Sequence, residues 1–154
     1  MKTVDAVRYR NRLDNLFQQV SSFSGNIELQ AHWARYLCVL VSGFVEVSVR
    51  AILSEYTQKK ASPTVVSYVT KQLSGFQNPK MERILELTRD FSPAWESALR
   101  QAVDGERKDA IDSIVANRNL IAHGDPVGIT YTRIRQYYQN AITVVELVEK
   151  QCEL

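Results

Sequence analysis

The strongest constraint in this sequence lies between residues 28 and 58. Trp33, Leu37, Leu40, Phe44, Val47 and Ala51 recur at helical spacing and form one apolar row. Cys38, Val41, Val45, Val49 and Ile52 form a second. A helix with a single apolar stripe lies on a surface, whereas two rows require packing on two sides. This segment must therefore sit at the centre of its fold, with only a polar stripe through Arg35, Ser42, Glu46 and Arg50 left over.

The rest of the chain supplies helices to cover those rows. Val7, Leu13, Leu16, Phe17 and Val20 predict a helix over residues 4–22, ended by Ser21–Gly25. Ser62-Pro63, Asn78-Pro79 and Ser92-Pro93 each place a capping residue before a proline at the first helical position. They open predicted helices at 63–74, 79–90 and 93–103. Asp104-Gly105 breaks the chain before a helix over 106–122, with Ala110, Ile111, Ile114, Val115 and Leu120 apolar. His123-Gly124-Asp125-Pro126 stops it by glycine, then proline. A last helix spans 131–152, with Ile134, Tyr138, Ala141, Ile142, Val145 and Val148 inward. No segment alternates with period two, and six Gly and four Pro are too few for a turn-rich β fold of 154 residues. The expected fold is all-α, one domain over 1–154, a bundle with two long helices (28–58 and 131–152) and several shorter ones.

Charge and motifs exclude several functions. Nineteen basic residues against seventeen acidic ones give a net charge of +2, so any affinity for nucleic acid must come from a local patch. GxxxxGK[ST], GxGxxG, HExxH and GxSxG are all missing from the sequence. Two histidines and two cysteines, with no CxxC, give no metal-ligand pattern, so neither a metal nor another cofactor is expected. Cys38 reads as a buried thiol, and nothing requires it to pair with Cys152. The N-terminal residues lack the apolar run of a signal peptide. The apolar stretch Tyr36–Val49, interrupted by Ser42, Gly43, Glu46 and Ser48, reads as too short and too polar to span a bilayer. A reducing, cytoplasmic setting without membrane attachment is the expectation.

The chemistry concentrates in Asn117-Arg118-Asn119-Leu120-Ile121-Ala122-His123-Gly124-Asp125-Pro126. Arg118 and His123 stand about 140° apart on a regular helix. They share a face only because Gly124 and Pro126 end the helix and let His123 swing back. Asn119, four residues before His123, is placed to orient its ring. An always-charged guanidinium beside an imidazole suits phosphodiester chemistry, the first neutralising the phosphate and the second moving a proton. RNA brings its own nucleophile, the 2′-hydroxyl, and would leave a 2′,3′-cyclic phosphate. The same residues are open to a structural reading, with Arg118 paired to Asp112 or Glu46 and His123 capping carbonyls.

Arg118-Asn119-Leu120-Ile121-Ala122-His123-Gly124 resembles the Arg-polar-x-x-x-His signature of the HEPN superfamily, in which four to six residues separate Arg from His. The Arg-Asn-x-x-Ala-His-Gly form, with Val45-Glu46 on a long second helix, is most similar to the RiboL-PSP-HEPN branch; the MAE-28990-like branch competes closely. The resemblance extends over residues 5–150. It implies a metal-independent endoribonuclease, often a toxin or phage-defence effector, with Arg118 and His123 catalytic, Asn119 supporting, and Glu46 as the assisting residue from an earlier helix. Glu46 is also four residues from Arg50, ordinary spacing for a helical ion pair. The His-x-Tyr extension of nucleotidyltransferase-paired HEPN toxins is absent, since Gly124-Asp125 follows His123. Other HEPN domains bind RNA, nucleotides or proteins without cutting.

The resemblance also implies a homodimer with two motifs facing each other, and an antitoxin or defence-system partner. A separate argument supports the dimer. Acid–base cleavage uses two proton-transfer groups, and the chain holds only His32 and His123, of which His32, beside Trp33, reads as structural. Arg133 and Tyr131, just past the motif loop, are the candidate RNA contacts.

Overall fold

The computed structural model describes residues 1–152; residues 153 and 154, the end of the expected domain, lie outside the described residues. Seven helices and no strand occur among the described residues: α1 (Val4–Ser21), α2 (Ile27–Lys60), α3 (Pro63–Leu73), α4 (Met81–Phe91), α5 (Pro93–Val103), α6 (Glu106–Ala122) and α7 (Tyr131–Gln151). The fold is all-α. The 34 residues of α2 make a rod about 50 Å long at 1.5 Å per residue.

Side-chain contacts fix the directions. Tyr9 meets Phe44 at 6.0 Å and Phe23 meets Trp33 at 6.2 Å between ring centroids, so α1 runs antiparallel to α2. The Tyr138 hydroxyl donates to Asp14 Oδ1 at 2.7 Å and the Tyr131 hydroxyl to the Phe17 carbonyl at 3.0 Å, so α7 is antiparallel to α1. Asn140 Nδ2 donates to Glu106 Oε1 at 3.3 Å, which sets the start of α6 against the middle of α7. Thus α2 and α7 point one way and α1 and α6 the other. Helices α3, α4 and α5 gather around the C-terminal half of α2, where Tyr56 meets Phe91 and Trp95.

Both apolar rows of α2 are used. Leu37, Cys38, Val41, Phe44, Val45, Val49 and Ile52 are buried in one continuous core with Leu13, Phe17, Ile111, Ile114, Ile134, Tyr138 and Val145. Phe44 lies edge-on to Tyr138 at 5.8 Å, and Tyr138 stacks on Phe17 at 4.7 Å. Gly43 makes room for Tyr9, because a Cβ there would come within 2.6 Å of the Tyr9 hydroxyl oxygen. The length argument against a bilayer span does not hold, since α2 contains an 18-residue window of mean hydropathy 1.8, long and apolar enough to cross. Within the bundle, 56% of that window is buried by the other helices.

The proline rule works at two of its three sites. Ser62 and Ser92 occupy the N-cap positions of α3 and α5 with proline next, although neither hydroxyl makes a capping hydrogen bond. The side chains that do cap are Asn26, accepting from the Leu29 N–H, and Thr130, accepting from the Arg133 N–H. At Asn78-Pro79 the expected start fails. Asn78 is left-handed at φ 44°, its N–H is held by Glu46 Oε2 at 2.8 Å, and α4 begins only at Met81, whose N–H is held by Asp112 Oδ1 at 2.8 Å. Two carboxylates from distant helices thus override the local signal. Leu120, counted in the apolar face of α6, is 43% exposed.

Glu149 on α7 ties down the start of the chain by accepting the N–H groups of Lys2 and Thr3 at 2.8 and 2.7 Å. Burial alone would raise its pKa, but these hydrogen bonds outweigh it and hold the carboxyl below the usual range. A depressed carboxylate contributes stability above its unfolded pKa that is lost as pH falls through the folded one. Glu149→Gln should therefore be less stable than the wild type at pH 7, with the gap narrowing below pH 4.5; urea melts at both pH values check this, and a constant gap contradicts it. Phe44→Ala should lower the unfolding free energy by about 3–5 kcal/mol. Val65→Ala, on the exposed side of α3, should change it by less than about 0.5 kcal/mol. Equal losses would mean that α2 is not the central element.

Candidate active site

Helix α6 ends in a backbone lock. Gly124 adopts φ +77°, and its N–H donates to the Ile121 carbonyl at 3.1 Å. The Asp125 N–H then reaches back to the Leu120 carbonyl at 2.9 Å. This paired pattern is the Schellman motif, which favours glycine because a Cβ is strained at positive φ. The terminal carbonyls are met by backbone donors, so the His123 side chain is not needed as a cap. It is exposed, and its imidazole makes no hydrogen bond or ion pair among the described residues.

Arg118, one turn earlier, is half-buried, and its Nη1 donates to Asn119 Oδ1 at 3.3 Å. Asn119 therefore steadies the guanidinium rather than the imidazole. Both acids that the structural reading offered to Arg118 are engaged elsewhere. Asp112 accepts from the Met81 N–H and from Lys108 Nζ at 3.0 Å. Glu46 accepts from the Asn78 N–H and pairs with Arg50 at 3.7 Å. No carboxylate forms an ion pair with Arg118 among the described residues. One helix end thus presents a charged planar fork without a counter-ion and an unengaged imidazole. Both are open to solvent, as a site for a phosphodiester requires.

Glu46 stands apart from this pair. The Cys38 thiol donates to the Ile114 carbonyl at 3.5 Å and marks where α2 crosses α6. Glu46 lies eight residues from that crossing in one direction and His123 nine in the other, about 25 Å along the bundle at 1.5 Å per residue. Within one chain, its carboxylate serves the connection between α3 and α4. Tyr131 and Arg133 open α7 at the motif's end of the bundle. The Tyr131 ring is half-buried and held on α1 through Phe17. Arg133 is exposed, with its guanidinium 5.9 Å from the centroid of Tyr137.

His32, read as structural beside Trp33, has a side chain 61% exposed and stands 4.0 Å from Glu28, one helical turn earlier. The sequence reading also passed over a set of exposed apolar residues at this end: Ile27, Leu29 and Tyr36 on α2, and Leu120 on α6. Periodicity marks apolar positions but does not say which have a helix to cover them.

No group of three metal-ligating side chains occurs among the described residues. Burial pushes the Cys38 and Cys152 thiols up to about 12, the opposite of what a nucleophilic thiolate needs. A cavity of about 510 Å³ between α2, α3 and α4, lined by Tyr56, Val65, Tyr68 and Phe91 among others, opens at the far end of α2 and contains no motif residue.

The sequence profile of the RiboL-PSP-HEPN family matches residues 5–154, and the chain belongs to that family. No curated protein and no solved structure matches it. Membership decides between the two branches that the motif resembles. It also places the chain in a class whose members serve as ribonucleases or nucleotide-binding modules.

The lock at Gly124 carries a test. Gly124→Ala forces a Cβ onto a left-handed residue and should cost about 1–2 kcal/mol. Gly128→Ala, where a Cβ meets nothing within 4 Å and no positive φ is involved, is the control and should change little. Thermal melts of the two variants check this, and matching melting temperatures contradict it.

Proposed function

We propose that the protein is a metal-independent endoribonuclease. The observation that carries this reading is that the locked end of α6 holds, five residues apart in sequence, an arginine with no counter-ion among the described residues and an unengaged, exposed imidazole. In the reaction, the 2′-hydroxyl oxygen of one nucleotide attacks the adjacent phosphorus and loses its proton to a base. The bond from phosphorus to the 5′-oxygen of the next nucleotide breaks, and that oxygen takes a proton. The products are a 2′,3′-cyclic phosphate and a 5′-hydroxyl. Arg118 holds the phosphate and offsets the charge that builds on its oxygens. His123 transfers a proton near neutral pH.

One imidazole cannot fill both proton-transfer positions at once. A two-fold homodimer with the α6 ends facing each other would supply a second His123. The exposed Ile27, Leu29, Tyr36 and Leu120 at that end support this arrangement, because they give an apolar rim for a partner to cover. Within this reading the protein acts in the cytoplasm as a toxin or phage-defence effector held in check by an antitoxin or partner protein. The second reading, an RNA- or nucleotide-binding module that does not cut, is favoured by the net charge of +2, modest for a nuclease that must hold a polyanion.

The two separate in one assay. Purified protein should cleave labelled single-stranded RNA in excess EDTA, and Arg118→Ala and His123→Ala should each slow cleavage by about 100-fold or more. Wild-type rates in either variant would remove the enzymatic reading. RNA binding without cleavage by the wild type would establish the module. Sedimentation of a monomer with full activity at micromolar concentration would remove the shared site.

A further inference from the structure

The polar stripe of α2 contains a residue that the motif does not account for. Arg35 is exposed and makes no ion pair or side-chain hydrogen bond among the described residues. It lies three residues before Cys38, while Arg118 lies four residues after Ile114, the residue that Cys38 meets. Because α2 and α6 are antiparallel, these offsets run the same way along the bundle. The two arginines therefore stand level to within about 2 Å at 1.5 Å per residue.

They also lie on one side of the helix pair. At 100° per residue, Arg35 is turned about 60° from Cys38 and Arg118 about 40° from Ile114, and in an antiparallel pair these turns have the same sense. An independent contact agrees. Glu46, eleven residues after Arg35, returns to within about 20° of the same face. Glu46 holds Asn78, while Asp112 of α6 holds Met81. The connection between α3 and α4 is thus clamped to α2 and α6 on this side, over the C-terminal half of α2. Ile111, two turns before Arg118 on nearly the same face, is buried, whereas Arg118 is half-buried and Arg35 exposed. Past the end of the cover, the groove between α2 and α6 opens between two arginines that no carboxylate among the described residues pairs with.

We propose that Arg35 and Arg118 form a two-guanidinium clamp on the RNA backbone within a single protomer, with Arg35 acting as a second phosphate-binding residue of the site. The inference rests on the ribonuclease reading and names a contact that the Arg–His motif does not contain. Helix axes 8–10 Å apart set the two side chains close enough for their planar forks to reach one phosphate or two neighbouring ones. Two like charges facing each other without an acid are unfavourable until an anion arrives, and this selects a polyanion over a neutral ligand.

The test uses the His123→Ala protein, which should bind RNA without cutting it, and a short single-stranded RNA as probe. Adding Arg35→Ala should weaken binding about tenfold and reduce the slope of log affinity against log salt by about 0.7, the value for one phosphate contact on a single strand. Arg35→Lys should keep the slope but recover only part of the affinity, since an ammonium is not bidentate. Arg35 is exposed, so thermal melts should not move, which separates a lost contact from a damaged fold. An unchanged slope in Arg35→Ala, while Arg118→Ala lowers it, overturns the clamp and leaves the ribonuclease reading standing. If the His123→Ala protein binds no RNA and the wild type cuts none, both fall together.

Discussion

Everything in this molecule is organised by the burial of α2. Helices α1, α7 and α6 take up its two apolar rows, and Phe44, wedged between Tyr9 and Tyr138, couples three of the four core helices. Burial of aromatic and branched side chains at this density is worth roughly 1.5–3 kcal/mol per residue, so the relative placement of these helices is not adjustable. A helix covered on three sides has one left. On that remaining side the α3–α4 connection closes the C-terminal half, pinned by Glu46 and Asp112. The N-terminal half stays open, and the end of α6 lies alongside it.

The chemistry therefore collects where covering stops. Buried or half-buried arginines are normally paired, because an isolated charge in a low-dielectric setting is costly. Here Asp112 and Glu46 are engaged in holding backbone N–H groups, and among the described residues Arg118 has only a neutral amide, Asn119, as its side-chain partner. The Schellman lock then frees His123 from a capping role and leaves its imidazole in solvent. Both are what a phosphate-binding and proton-moving pair requires, and Ile27, Tyr36 and Leu120 are exposed at the same end of the bundle.

Much of this was legible in the residues. Two apolar rows identified the central helix, and Pro63 and Pro93 opened α3 and α5 as expected. Gly124 and Pro126 located the end of α6, and the motif that runs up to them pointed to the superfamily, with two branches left open. What was not legible depended on contacts across the chain. The start of α4 slipped because Glu46 and Asp112, thirty or so residues away in sequence, capture its approach. The crossing of α2 and α6 at Cys38 and Ile114 sets Glu46 and His123 on opposite sides of it within one chain, which the place of Glu46 on α2 alone could not show. Exposure was hidden too: Leu120 and His32 have the spacing of packed residues but meet no neighbour that buries them. The level pairing of Arg35 with Arg118 could not be read from sequence at all, since it needs the direction of α6 relative to α2.

The central claim is that Arg118 and His123 act together on one phosphodiester. At 17.6 kDa the chain suits direct observation of both side chains by NMR, with ring nitrogens for His123 and Nε for Arg118. A short RNA with a 2′-O-methyl group at every position cannot attack itself and so reports binding alone. Titrating it in should shift the His123 ring and Arg118 Nε signals along a single saturating curve, while Arg50 and Arg100 at the covered end stay still. Saturable binding that leaves the His123 and Arg118 signals unmoved, or moves them on separate curves, would contradict the account.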